Sequence, residues 1–463
     1  MTMWLPDKRR LARPLHVSIA NAYADAIASG TLCEGTRLAT HRQLAKALEV
    51  SIHTVGKAYD ELRRRRLVTG EVGRGTYVLT QAQMLGTPWL TTRRDSRFID
   101  LSLSRPVSGD IHVRKMHEAL GDLANGLDYR AYLACRPNTG LDEHREAAVA
   151  WLARCGLESS PRNVVITNGA SHAIAVALTT VARPGDVVAT EAIGHHGIIS
   201  LAKFLGLPLL GLGCDKSGIL PAAFETACRE SAVRVLFTVP ALAGPTVTLM
   251  PVTRRRKLAE IARRYDVAII EDDAWGPLAP NRPPPLTSFA PRHGYYVTTF
   301  SKCLMPGLRT GYLVVPEGMV APIISRLIPI GWMATPLIAE IASRWVRDGT
   351  ALDLLEWQRA ALERRHRIAT EILAGQRYAA HPQALHLWLS LPPNWRAAEL
   401  TEHAKLAGLA IASCQAFASE TKYLRNAVRV AIAAPRSEGD LARGLTTLTA
   451  LLARDPEPLP LAI

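Results

Sequence analysis

Lys302 and Arg309, seven residues apart, are the pair in this 463-residue chain best placed to do covalent chemistry. They lie in YYVTTFSKCLMPGLRTGY, Tyr295–Tyr312, where two aromatics and a β-branched run (Tyr295, Tyr296, Val297, Thr298, Thr299) predict a strand. Ser301 and Lys302 follow that strand and precede a Pro306-Gly307 break. A lysine at a strand end can form a Schiff base with an aldehyde cofactor, and a nearby arginine can take a phosphate through two parallel hydrogen bonds. A surface lysine and a surface arginine around a turn would look the same. About thirty residues earlier the apolar run Val267–Ile270 delivers Glu271, Asp272 and Asp273. A carboxylate there sits where ligands bind in open α/β sheets. An acidic pair after a strand could otherwise hold a metal, but no third ligand from elsewhere in the chain is apparent. Arg429 falls inside the apolar strand Ala427–Ile432, where a bare guanidinium is costly. It needs a salt bridge within the fold or a carboxylate captured from a ligand.

These residues need a frame that holds them. From about Phe98 the chain alternates apolar strand-like runs with longer helical stretches, which predicts parallel strands with covering helices. Val164–Thr167 is a short strand that runs into Asn168-Gly169-Ala170-Ser171-His172 and then a helix ending before Pro184. A strand, a small-residue turn and a helix N-terminus make an anion cradle, since free N–H groups and the helix dipole both favour a phosphate. A second unit, Val187–Thr190, leads into a loop with His195 and His196. Val235–Pro240 is a further strand, followed by Gly244-Pro245-Thr246. A helical region from Trp357 to Ile372 separates this part from a smaller α/β part, which opens with Ala384–Leu389 and closes with an amphipathic helix.

The first eighty residues follow a different plan. Ile19, Tyr23 and Ile27 recur at helical spacing, and Thr40 with Gln43 forms a capping box for a second helix carrying Leu44 and Leu48. Ser51 reads as the N-cap of a third helix with the apolar stripe Val55, Ala58, Tyr59 and Leu62. Arg63–Arg66 then lead into two short strands around a Gly73-Arg74-Gly75 turn. Three helices and a hairpin make a winged helix-turn-helix, whose third helix would enter the major groove while Arg74 reaches phosphates or the minor groove. A small helical cap with solvated arginines is the blander alternative. The divisions that result are 12–80 for this domain, 81–97 for a linker of little periodicity, and 98–463 for the α/β domain.

Composition sets broad limits. The net charge of +14 favours a polyanionic partner, and 48% hydrophobic residues suffice for a large core. Seven cysteines show no CxxC pair and no zinc-like spacing with histidine, as expected of a reduced, cytoplasmic protein. No charged-then-apolar leader opens the chain, and no apolar run reaches the ~18 residues of a membrane helix.

The pattern SKxLxPGLRxGY resembles the pyridoxal 5'-phosphate (PLP) lysine segment of fold-type I aminotransferases, and the 167–178 segment resembles their TxGAxxAL phosphate loop. The resemblance implies that Lys302 carries PLP as an internal aldimine, that Gly169, Ala170, Ser171, Thr299, Ser301 and Arg309 surround the phosphate, and that Asp272 faces the pyridine nitrogen. His195 stands where relatives stack an aromatic ring on the cofactor, and Arg429 where they bind a substrate carboxylate. Two positions depart: Gly244 replaces an asparagine and Trp275 a tyrosine, both of which bond the cofactor's phenolic oxygen in relatives. Pro14–Val78 resembles the GntR DNA-binding domain through IASGTL, GTRLATHRQLAKALEVS, TVGKAYDELRRRRLV and GRGTYV. That match points to Arg42, Ser51, His53, Thr54, Lys57 and Arg74 as DNA contacts, with Ile52 where the family commonly has arginine. The two halves together resemble the MocR subfamily of bacterial regulators. What this implies is a PLP-dependent homodimeric regulator that binds double-stranded DNA with paired half-sites and senses an amino compound through external aldimine formation. A working aminotransferase with an appended DNA-binding domain is the alternative.

Overall fold

The computed structural model of the chain describes residues 4–28, 31–32, 36–64, 67–71, 75–78, 98–126, 133, 135–242 and 244–456. These fall into two compact units, one holding residues 4–78 and the other residues 98–456.

In the first unit, α1 (Leu15–Ala28), α2 (His41–Leu48) and α3 (Ile52–Arg64) precede an antiparallel pair, β1 (Val68–Glu71) and β2 (Gly75–Val78). Thr40 and Gln43 complete a reciprocal capping box at the start of α2. Glu49 ends that helix with φ +53, a left-handed turn that lets Ser51 begin α3 two residues later. Ile19, Tyr23, Leu44, Leu48, Val55, Tyr59 and Leu62 are all buried together. Each large apolar side chain so buried contributes roughly 1.5–3 kcal/mol. The Tyr59 hydroxyl donates to the Ala39 carbonyl at 2.7 Å, which ties α3 to the segment ahead of α2.

The second unit is built on a seven-stranded sheet. Its strands are β3 (Val164–Thr167), β4 (Val187–Glu191), β5 (Leu209–Leu212), β6 (Val233–Thr238), β7 (Ala268–Asp272), β8 (Gly294–Thr299) and β9 (Gly311–Val314), in the order β3-β9-β8-β7-β6-β4-β5. β7 pairs in parallel with both β6 and β8, so each strand's carboxyl end opens on the same edge. Every residue of β3, β8 and β9 is buried, as in a sheet covered on both faces. One strand departs from the parallel expectation: β9 runs antiparallel to β8 and β3. Only residues 300–310 separate β8 from β9, too few for a crossover helix. The lysine segment is therefore a tight return at the sheet's edge.

α4 (Asp142–Arg154) and α5 (Ala170–Val181) cover this sheet, and α6 (Thr350–Ile372) leads out of it. α6 begins seven residues before the expected Trp357, because Gly349 at φ +90 caps it and Leu354 and Leu355 join the large core. A smaller four-stranded sheet follows, with β10 (Tyr378–Ala379), β11 (Leu387–Ser390), β12 (Ala412–Ser413) and β13 (Ala427–Val430) in the order β10-β11-β13-β12. α7 (Glu438–Leu452) packs its buried Leu441, Leu445 and Leu448 into that part's own core.

Candidate functional site

β8 hands the chain to a single helical turn, Phe300–Cys303, capped by Thr299. The Thr299 hydroxyl accepts from the Ser301 N–H at 3.3 Å and donates to the Thr310 carbonyl at 2.7 Å, stapling the two ends of the return together. That hydroxyl serves the turn. Lys302 follows, with its Nζ donating to the Ser104 carbonyl and standing 5.2 Å from the Trp275 ring centroid. Its pKa is lowered to about 8, chiefly by burial and then by Arg429 and Arg309, with Asp272 opposing them.

The three acidic residues ending β7 take three directions. Glu271 accepts from Arg255, from the Leu286 and Thr287 N–H groups and from the Thr287 hydroxyl, all in the interior. Asp273 accepts from Arg282 and from the Tyr296 hydroxyl. Only Asp272 keeps its carboxyl for other use: its one hydrogen bond among the described residues comes from the Ala274 N–H at 3.1 Å. Burial raises it to about 7, with Asp273 pushing the same way and Lys302 pulling it down. The Asp272 carboxyl and the Lys302 amine thus act on each other electrostatically.

On the next side, Gly169 opens α5 at φ +83, and no side chain caps that helix. The first-turn N–H groups around Ala170 and Ser171 are left for an anion. Arg309, itself at φ +43, lays its guanidinium over this turn: a Cβ added to Gly169 would come 2.8 Å from Arg309 Nη2. Arg309 Nη1 also donates to Ser301 Oγ at 3.3 Å. Gly169, Ser301 and Arg309 therefore form one cradle.

His195 lies among rings, 5.7 Å edge-to-face from Trp275 and 6.4 Å from Phe237 at a shallow 33°. Burial, then His196, Lys302 and Arg429, hold its pKa well below the usual imidazole value, so the ring is neutral. Gly197 makes room for it, since a Cβ there would approach His195 Cε1 to 2.7 Å. Arg429 reaches in from β13. Its guanidinium covers the Phe417 ring at 4.6 Å and donates to the Ser102 carbonyl, while Nε is buried without a partner among the described residues. No carboxylate lies within ion-pair distance among the described residues, and burial lowers its pKa to about 10, with Asp100 opposing.

Two features left no mark in the sequence. Ser102 and Ser104 supply backbone carbonyls to both cations, and a backbone acceptor has no residue-type signature. His386 lies two residues before Trp388, which pairs with Arg429 across β11 and β13, so the three share a face. Its Nε2 donates to the Gly244 carbonyl at 2.8 Å, joining the smaller sheet to the loop after β6.

In the first unit Arg42, Ser51, His53 and Lys57 are exposed. Ser51 Oγ accepts from the Thr54 N–H at 3.0 Å, and the two hydroxyls lie 2.8 Å apart at the start of α3. Ile52 is 54% exposed on the same helix, an apolar residue on an otherwise polar surface. Arg63 pairs with Asp60 at 2.6 Å. Arg65, Arg66 and Arg74 lie outside the described residues.

A three-helix unit with a hairpin, and a seven-stranded sheet whose lysine turn faces an aspartate and an anion cradle, define a winged helix-turn-helix joined to an aminotransferase-like α/β domain. The chain belongs to the aminotransferase class I and II family, which matches residues 101–448, and residues 15–78 match the bacterial regulatory proteins of the gntR family. Curated relatives that resemble it include HTH-type transcriptional regulators and a regulatory protein named MocR. An uncharacterized HTH-type transcriptional regulator of Bacillus subtilis, YdeF, is 28% identical over 97% of this chain and 96% of its own. The probable rhizopine catabolism regulatory protein MocR of Rhizobium meliloti is 27% identical over 65% of this chain and 66% of its own. Among solved structures, an archaeal alanine:glyoxylate aminotransferase shares the fold with a TM-score of 0.72 at 22% identity, covering 77% of this chain and 91% of that one.

Proposed function

We propose that this chain is a DNA-binding regulator whose larger unit binds PLP and senses an amino compound carrying a carboxylate. The observation that carries this reading is Lys302, a buried amine near pKa 8 among Asp272, Arg309 and Arg429. When bound, PLP supplies an aldehyde carbon to which amines add and a ring that withdraws electrons. Lys302 holds the reacting nitrogen, in the neutral form that adds to carbonyls above about pH 8. Asp272 holds a proton on the ring nitrogen. Arg309, Ser301 and the uncapped turn at Gly169, Ala170 and Ser171 hold the phosphate, and neutral His195 lies along the ring. Arg429 takes the effector's carboxylate in place of the Ser102 carbonyl.

Two features support the fit. The Gly169–Arg309 approach leaves no room for a side chain in the cradle. Among the described residues Trp275 Nε1 is buried without an acceptor beside Lys302, a donor where the resemblance expects a tyrosine hydroxyl. Effector occupancy changes DNA affinity, read through α3 and Lys57 on paired half-sites by a cytoplasmic homodimer. The test loads the full chain with PLP, selects a DNA ligand from a random library, and titrates a panel of amino compounds. The expected result is that one compound changes the cofactor's absorbance and the DNA affinity over the same concentration range. Absorbance changes with constant DNA affinity, and steady turnover once a keto acid is added, would instead make the chain an enzyme.

Gly244 gives a second expected result. A Cβ there meets nothing within 4 Å, and its φ of +64 is one that asparagine tolerates better than most residues. Gly244→Asn is expected to tighten PLP by about 1 kcal/mol, the worth of one hydrogen bond, and to move the absorbance titration of the bound cofactor to lower pH. Coincident curves for the two proteins would place Gly244 away from the cofactor.

A further inference from the structure

A cavity of about 370 Å³ opens between the end of α4, the Pro277–Pro284 loop and the first half of α6, with Arg282, the partner of Asp273, in its wall. None of its lining residues belongs to the cradle, the lysine turn or the Arg429 strand. Its volume lies in the range of small-molecule sites, roughly 300–1,000 Å³. Three guanidiniums line it, Arg154, Arg282 and Arg359, and no lining residue is acidic.

The three arginines differ in what they have left to give. Arg282 is committed: it holds Asp273 and donates through Nη2 to the Cys155 carbonyl at 2.6 Å. That second bond also covers a carbonyl at the end of α4, which would otherwise repel an anion. Arg359 donates through Nε to the Leu278 carbonyl at 3.1 Å and through Nη2 to the Pro277 carbonyl at 2.7 Å, which fixes its fork and leaves Nη1. Glu356, one turn earlier on α6, is an acidic group that acts on it electrostatically. Arg154, exposed on the last turn of α4, has no hydrogen bond or ion pair among the described residues. Pro283, Leu352 and Leu355 give the walls an apolar surface that the prolines keep rigid.

We propose that this cavity is a second ligand site, which binds a small organic anion: a carboxylate or phosphate head against Arg154 and Arg359, with a compact apolar body against Leu355 and the prolines. The fork of Arg359 is already fixed and binds such a head with little further ordering, while Arg154, unpaired among the described residues, is left to close on it. The site has a lever. α6, 23 residues long, carries Arg359 at this cavity and, farther along, Arg365, whose Nη1 donates to the carbonyls of Ile432, Ala433 and Pro435 just past β13.

The test uses the full chain loaded with PLP, followed by thermal denaturation with benzoate, phenyl phosphate, inorganic phosphate or benzamide. Benzoate or phenyl phosphate should raise the midpoint, and the larger shift names the preferred head. Benzamide and inorganic phosphate, which lack the charge or the body, should raise it far less. Arg154→Glu should weaken the organic anion about tenfold or more, since it reverses a charge at the head. Arg429→Ala should leave the shift intact. An equal shift in Arg154→Glu, a shift lost in Arg429→Ala, or no shift with either organic anion would overturn the proposal.

Discussion

Lys302→Ala is expected to remove all covalent attachment of PLP while the fold persists. Borohydride reduction followed by mass spectrometry should find the cofactor fixed to the wild-type chain and absent from the variant. The fold should survive because the Lys302 side chain packs no core; Phe300, Cys303 and Leu304 on either side do that. The pH dependence follows from the same residue. An ordinary lysine is protonated until about pH 10.4, whereas Lys302 loses its proton near 8. PLP uptake by the cofactor-free chain should therefore speed up as pH rises through about 8 and level off above it. Fixation at another lysine in the variant, or an uptake midpoint near 10, would refute the assignment.

The second large effect is on stability. Arg255 is fully buried, and its only counter-charge within ion-pair distance among the described residues is Glu271, at 3.3 Å. Its other bonds go to the carbonyls of Met250, Pro240 and Pro284. Glu271→Ala leaves that guanidinium uncompensated in the interior and frees two N–H groups of the 286–287 turn. Breaking a buried pair from one side costs about 3–5 kcal/mol. The denaturation midpoint of the larger unit should fall accordingly, with DNA binding by the first unit less affected. A loss below about 1 kcal/mol would show that water reaches the pair.

How much of this was legible in the sequence depends on what kind of group did the work. Lys302, Arg309 and the Gly169 turn stand out by residue type beside strand ends, but their cofactor roles came from the resemblance to fold-type I aminotransferases. The same logic could not separate Asp272 from its neighbours. Glu271, Asp272 and Asp273 are consecutive in sequence, and only the positions of Arg255 and Arg282 decide which carboxyl is left over. The antiparallel β9 was missed because an apolar run carries no direction. Arg429 read as a strand residue needing a counter-charge, and the structure gives it an aromatic face and a carbonyl instead. In the first unit the caps at Thr40 and Ser51 were readable because capping is local chemistry. The wing tip at Arg74 lies outside the described residues.

The stretch Ser102–Ser104 has a consequence for how the two ligands interact. Its carbonyls occupy Arg429 and Lys302 at once, so on the function proposed above the chain carries its own competitor for both ligands. A ligand that draws either cation away loosens one tether of a three-residue stretch, and the other tether then holds a less constrained partner. Coupling of this kind is reciprocal in binding free energy. Whatever factor PLP loading lends to carboxylate capture, carboxylate capture returns to PLP, and the stiffness of three residues sets its size.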